Sequence, residues 1–224
     1  MKSSWNWLRN LLKPSKTVPR TPWTADSQWS INLTRLFVLI LGLFLFGIGE
    51  SLLIVSDIGN SPWTVLSQGV SKQLDLSIGS ATFLVSILVI LLWIPLREKP
   101  GFGTLANILV IAVAIDIGIY FLPKQSLFAF ELIYVLLGIT LVGLGSALYI
   151  TCGLGSGPRD GWMTALHRRS GIAVGKVRLA IELLVLLTGW VLGGVIGIGT
   201  ALFALLIGQS VAIWFGVVSR LTAR

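Results

Sequence analysis

The sequence predicts an all-α polytopic membrane protein: six transmembrane helices in two inverted three-helix repeats, each with a short amphipathic or re-entrant helix after its first span. Three observations carry that prediction. Charged residues make up 12% of the 224-residue chain and hydrophobic ones 54%, where a soluble domain carries about 25% charged. Apolar runs of about twenty residues recur, each long enough to cross a hydrocarbon core of ~30 Å. And a shift of 96 positions lays the sequence on itself without a gap.

In chain order, residues 1–32 read as a basic cytoplasmic tail in which Lys2, Arg9, Lys13, Lys16 and Arg20 alternate with Trp5, Trp7 and Trp23. Trp5 to Leu12 has the makings of a surface-lying amphipathic helix, and Pro14, Pro19 and Pro22 interrupt regular structure after it. A disordered, orienting tail is the preferred expectation, and no cleaved leader is expected, because so long a polar stretch precedes the first apolar run. The first repeat, 33–124, opens with a span over about 35–55. A turn at Asp57 to Ser61 follows, then Pro62 to Leu74, where Trp63, Leu66, Val70 and Leu74 keep helical spacing. Spans over about 78–96 and 103–122 complete that unit. The second repeat, 125–224, runs through a span over 127–152, a glycine-rich block, and spans over 174–192 and 200–220.

Basic residues orient these spans. Of the 17 Lys and Arg, only Lys72 and Lys124 fall on one side; by the positive-inside rule both termini are cytoplasmic. This also accounts for the net charge of +8 without nucleic acid as a partner.

Under the 96-residue shift Gly47 and Gly49 land on Gly143 and Gly145, Gly59 and Pro62 on Gly155 and Pro158, and Gly79 on Gly175. Gly101, Gly103 and Thr104 land on Gly197, Gly199 and Thr200. Shared glycine and proline weigh more than shared leucine, because they dictate backbone geometry. An odd number of spans per unit turns the second unit upside down, the plan of many transporters, whose site lies at the repeat interface.

The centre of the chain is GLGSGPRDGWMTALHRR, Gly153 to Arg169. Gly155 and Gly157 permit a tight turn, and Pro158 suits the first turn of a helix. This block with its continuation to Gly171, then VRLAIE, GWVLGG and GIGTALFALLIG, resembles the YczE/YyaS-type bacterial membrane proteins, relatives of the YitT group. DIGNSPWTVLSQG, at Asp57 to Gly69, is similar to that family's shorter first signature. The likeness spans about Leu36 to Leu221 and departs at Gly208 to Ser210, GQS, where the pattern has Gly-Pro. It implies an integral protein of the bacterial inner membrane, permease-like, with some members tied to secondary-metabolite production.

Ionisable residues inside spans are functional candidates, since each costs about 2.5 to 3.5 kcal/mol to insert. Arg178 and Glu182 stand four apart on one helix face. They are candidate substrate-binding residues with Arg159 and Asp160, which sit at a helix start where peptide N–H groups favour anions. Glu50 and Asp116, near the outer ends of their spans, are candidates for coupling or substrate access and form, with Glu131, a possible acidic vestibule. A structural ion pair, a surface-lying helix on anionic lipid and three wetted carboxylates are the plainer readings of the same residues. Gly155, Gly157, Pro158, Gly59 and Pro62 are assigned to backbone geometry. Single residues Cys152 and His167 exclude a disulfide and a histidine-rich metal cluster. No catalytic constellation or cofactor motif is visible, so an enzyme is not expected. The expected function is a small-solute permease working by alternating access. The alternative is a non-transporting partner that binds lipid or assists another membrane complex through Arg159 to Lys176. Membrane lipid and an unidentified small molecule are the partners implied, and a homodimer is left open.

Overall fold

The computed structural model describes residues 12–15 and 17–222, among which lie eight helices and no strand. They are α1 (Leu33–Ser56), α2 (Pro62–Leu74), α3 (Ile78–Leu91), α4 (Phe102–Phe121), α5 (Phe128–Thr151), α6 (Pro158–Ser170), α7 (Val174–Val191) and α8 (Ile198–Thr222). The starts of α2, α3 and α4 recur 96 positions later as those of α6, α7 and α8. Backbone conformation recurs as well. Asp57, Gly59, Asp75 and Arg97 take positive φ in the first half, and Gly153, Gly155, Gly171 and Gly193, each 96 residues on, take it in the second. Gly59 and Gly155, at 119° and 116°, occupy a region that side chains rarely enter.

The centre is the α1–α5 pair. A Cβ on Gly42 would stand 2.9 Å from the Gly145 carbonyl oxygen, and one on Gly49 2.7 Å from that of Gly138. The helices therefore run antiparallel with their backbones in contact. α4 packs on α1 and α8 on α5, which makes a four-helix frame. The two halves also exchange contacts. Gly103 N donates to the Leu154 carbonyl at 2.7 Å, and Gly199 N to the Ile58 carbonyl at 2.8 Å. Each bond is the other displaced by 96 positions with the halves swapped, the form of an isologous contact.

Four helices, α1, α4, α5 and α8, are long and apolar enough to cross a membrane, and the pair α2 and α3, bent by 110°, gives a fifth candidate if taken as one span. The expected second span is shorter than the sequence suggests. α3 stops at Leu91 because Pro95 has no N–H to continue the ladder and disfavours helix at the residue before it. The chain turns instead, and Trp93 folds inward, 3% exposed. The expected fifth span, α7, has 18 residues but carries Lys176, Arg178 and Glu182. α8 runs unbroken through Gly208 to Ser210.

The stretch expected as a free tail is held against the frame where it is described. Trp23 Nε1 donates to Thr151 Oγ1 at 3.1 Å, Ala25 N to the Cys152 carbonyl at 2.9 Å, and Phe102 N to the Gln28 carbonyl at 3.1 Å. Ser15 N reaches the Ala212 carbonyl on α8 at 2.8 Å. Most of the proposed Trp5 to Leu12 helix lies outside the described residues.

Candidate functional site

Both short helices begin at the wall of one cavity of about 280 Å³, which Pro62 and Pro158 line together with residues of α1, α4, α5, α7 and α8. The proline at the first helical position of each, and the positive-φ glycine three residues before it, set this placement. The two helix N-termini thus converge on one space, which is favourable ground for negative charge.

Glu50 already occupies the α2 end. It is fully buried, and its carboxylate accepts from Ser61 Oγ at 2.8 and 3.1 Å and from Thr64 Oγ1 at 2.7 Å. The sequence places Glu50 near the rim of a span; instead α1 extends past it, and α2 folds back over it. A buried carboxylate needs such donors, since an unpaired charge in a dry interior is very costly. Arg159, across the same cavity, is the counter-charge that acts on it.

At the α6 end the position equivalent to Glu50 is Ser146, a hydroxyl where the first half has a carboxylate. Arg159 spreads over two rings, with its guanidinium carbon 5.4 Å from the centre of Trp63 and 5.9 Å from that of Phe46. Trp63 is its own equivalent in the first half, so matched positions of the two units meet in the cavity. Arg159 donates no hydrogen bond and joins no ion pair among the described residues. Asp160 accepts from the Tyr149 hydroxyl at 3.1 Å. Arg178 Nε donates to Glu182 Oε1 at 2.8 Å, the pair that the i,i+4 spacing predicts, and both line the cavity.

Five of the six ionisable candidates therefore face one space: Glu50, Arg159, Asp160, Arg178 and Glu182. Asp116 does not. It accepts from Ser77 Oγ at 2.6 Å and Gly79 N at 2.8 Å, tying the start of α3 to α4. Glu50 and Asp116 thus share no acidic vestibule. Gly157 lets the turn lie against Asn107, whose amide would be 3.3 Å from an added Cβ.

Sequence reasoning missed Asn107 and Ser146. Both line the cavity, are 9% and 7% exposed, and their side chains make no hydrogen bond among the described residues. The available signal for Ser146 was its position 96 residues after Glu50. Trp93 was missed too, although it is tied to the first turn of the second short helix by donating Nε1–H to the Pro158 carbonyl at 3.0 Å.

The two units close against each other unequally. α2 lies backbone to backbone on α7, where a Cβ on Gly69 would stand 2.6 Å from the Gly189 carbonyl oxygen. Lys72 Nζ donates to the Gly193 carbonyl at 2.6 Å and Gln73 Nε2 to that of Leu192 at 3.0 Å. In the corresponding α6–α3 contact Trp93 takes the place of Gly189 and wedges the helices apart, leaving the Arg168–Glu98 ion pair at 2.6 Å outside it.

Residues 33–215 match a family described as a family of unknown function, DUF6198. An uncharacterized protein of Haemophilus influenzae is 43% identical over 93% of this chain and 96% of its own length. The uncharacterized membrane protein YczE of Bacillus subtilis is 32% identical over 88% of this chain and 93% of its own. The uncharacterized protein YyaS of the same organism is 29% identical over 80% and 92%. The resemblance read from the glycine-rich signatures is thus to true relatives. No solved structure matches.

Proposed function

The chain is a membrane protein of the DUF6198 family, and on that premise we propose that it is a small-solute transporter, not an enzyme, working by alternating access between two inverted units. The observation that carries this reading is the cavity, walled by both units, where two helix starts and five charged side chains converge. Antiparallel α1 and α5 support inversion: they are equivalents 96 residues apart, so if α1 crosses outward then α5 crosses inward. In this reading α3 and α7 complete six crossings. At a rise of 1.5 Å per residue the 14 residues of α3 give only about 21 Å, and the turn after Leu91 supplies the remainder. Both termini then face the cytoplasm of a bacterial inner-membrane protein, as the charge bias requires.

The unequal contacts suit a two-state element. The α2–α7 side is closed by backbone contact, while the equivalent α3–α6 side is wedged by Trp93. Transport would exchange which side is tight, with Arg159, Asp160, Arg178 and Glu182 binding the solute and Glu50 coupled to them.

The test needs no knowledge of the solute. Ser146→Cys, in a Cys152→Ser background, reports from the cavity. A bifunctional thiol reagent bridges either Lys72→Cys to Gly193→Cys or Glu98→Cys to Arg168→Cys. An impermeant maleimide should reach residue 146 from one face of the membrane in the first bridged protein and from the opposite face in the second. Labelling from the same face in both would overturn alternating access.

A further inference from the structure

The cavity has a side door. In the first half α3 packs along α4: a Cβ on Gly79 would stand 2.3 Å from the Ala112 carbonyl oxygen. Their equivalents are Gly175 on α7 and Gly208 on α8, and no described residue lies within 4 Å of a Cβ at either. α7 and α8 do not pack on each other as α3 and α4 do. The latch is missing as well, since Asp116, which ties α3 to α4, is Ala212 in the second half. Gly208 is exposed and still lines the cavity, so the space continues outward between the two helices. Arg178 and Glu182 form one lip, Ile207, Gly208 and Val211 the other. α8 is the least buried of the four helices long and apolar enough to span. An opening beside such a helix faces acyl chains, not water.

Charge states what enters. Of the groups in the cavity, Glu50 is held by Ser61 and Thr64, Asp160 by Tyr149, and Glu182 by Arg178. Arg159 has five side-chain N–H donors, none of them hydrogen-bonded among the described residues, where the side chains of Asn107 and Ser146 are also buried without a hydrogen bond in the same cavity. Arg159 feels Glu50 only across the cavity; what its N–H groups lack is a hydrogen-bonded anionic acceptor.

Resting on the transporter reading, we propose that the solute is an amphiphilic organic anion with a single apolar chain. Its carboxylate or similar head group pairs with Arg159 within reach of Asn107 and Ser146, and its chain leaves between α7 and α8 into the bilayer. A fully water-soluble anion would make no use of the gap. A neutral amphiphile would leave the Arg159 guanidinium without a hydrogen-bonded anion.

The experiment uses hexadecanoate carrying a mid-chain diazirine, irradiated with the full chain in nanodiscs, the labelled residues being mapped by mass spectrometry. Label is expected on the lips of the gap, at Ile207, Gly208 or Val211. It should be competed by excess hexadecanoate but not by acetate or hexadecanol at equal concentration. Arg159→Gln should weaken competition about tenfold, the loss of one charge-assisted pair. Gly208→Trp, placed where the structure leaves room, should abolish the label while eluting as the wild type does. Equal competition by acetate would overturn the apolar chain, and equal competition by hexadecanol would overturn the anionic head. Label spread evenly over lipid-facing residues, or unchanged in Arg159→Gln, would overturn the site. None of these results bears on the cross-linking test of alternating access, so the two readings fail separately.

Discussion

Gly79→Ala and Gly175→Ala are the same change at equivalent places, yet the structure requires opposite outcomes. Each glycine is the second residue of its helix, α3 or α7, so the intrinsic preference of a helix for Ala over Gly, at most about 1 kcal/mol, is common to both. What differs is the surroundings. The new methyl at residue 79 would lie 2.3 Å from a backbone oxygen of α4 and 2.5 Å from the Asp116 carboxyl carbon. Backbone cannot yield cheaply, and forcing a methyl into a filled contact costs about 1–3 kcal/mol. It would also push Asp116 off the start of α3. At residue 175 no described residue lies within 4 Å to meet it. Gly79→Ala should therefore destabilise by about 1–3 kcal/mol, and Gly175→Ala should be neutral or stabilising by up to about 1 kcal/mol. For a chain of this size that separates their melting temperatures by several degrees. Thermal unfolding in a mild detergent, followed by size-exclusion chromatography, reads the difference. Equal losses in the two variants would mean that α7 is zipped to α8 as α3 is to α4, and the lateral opening would not exist.

Glu50→Ala should cost about 2–4 kcal/mol, because Ser61 and Thr64 lose their acceptor in a buried space; Glu50→Gln, which keeps the shape, should cost less in the same thermal assay. Trp93→Ala removes a 3%-exposed side chain and its bond to the Pro158 carbonyl. A loss of about 3–5 kcal/mol is expected, with faster proteolysis near the start of α6 as the local readout.

Much of the fold was legible because glycine and proline state backbone geometry directly. Pro62 and Pro158 begin their helices as read, and Gly59 and Gly155 take the left-handed turn that only their lack of a side chain makes easy. Span lengths were less legible. Hydropathy continues through Leu92 to Leu96, but Pro95 stops α3 first, and hydropathy cannot see a hydrogen bond that is missing. In the site, the Arg178–Glu182 pair followed from helical spacing alone. The burial of Glu50 did not, because it depends on α2 folding back to bring Ser61 and Thr64 to it, eleven and fourteen residues away. Asp116 misled for the converse reason: a carboxylate in an apolar run reads as functional, and here it is consumed in holding two helices together.

The stretch before α1 touches the end of α5 through Trp23 and Ala25, the start of α4 through Gln28, and the side of α8 through Ser15. It acts as a belt around the outer members of the frame, and none of these bonds goes to α2, α3, α6 or α7. On the transporter reading proposed above, working motion is thereby steered away from these four helices to the segments the belt leaves untied, and to α6 with α7 more than to α2 with α3, because Asp116 holds the start of α3 to α4.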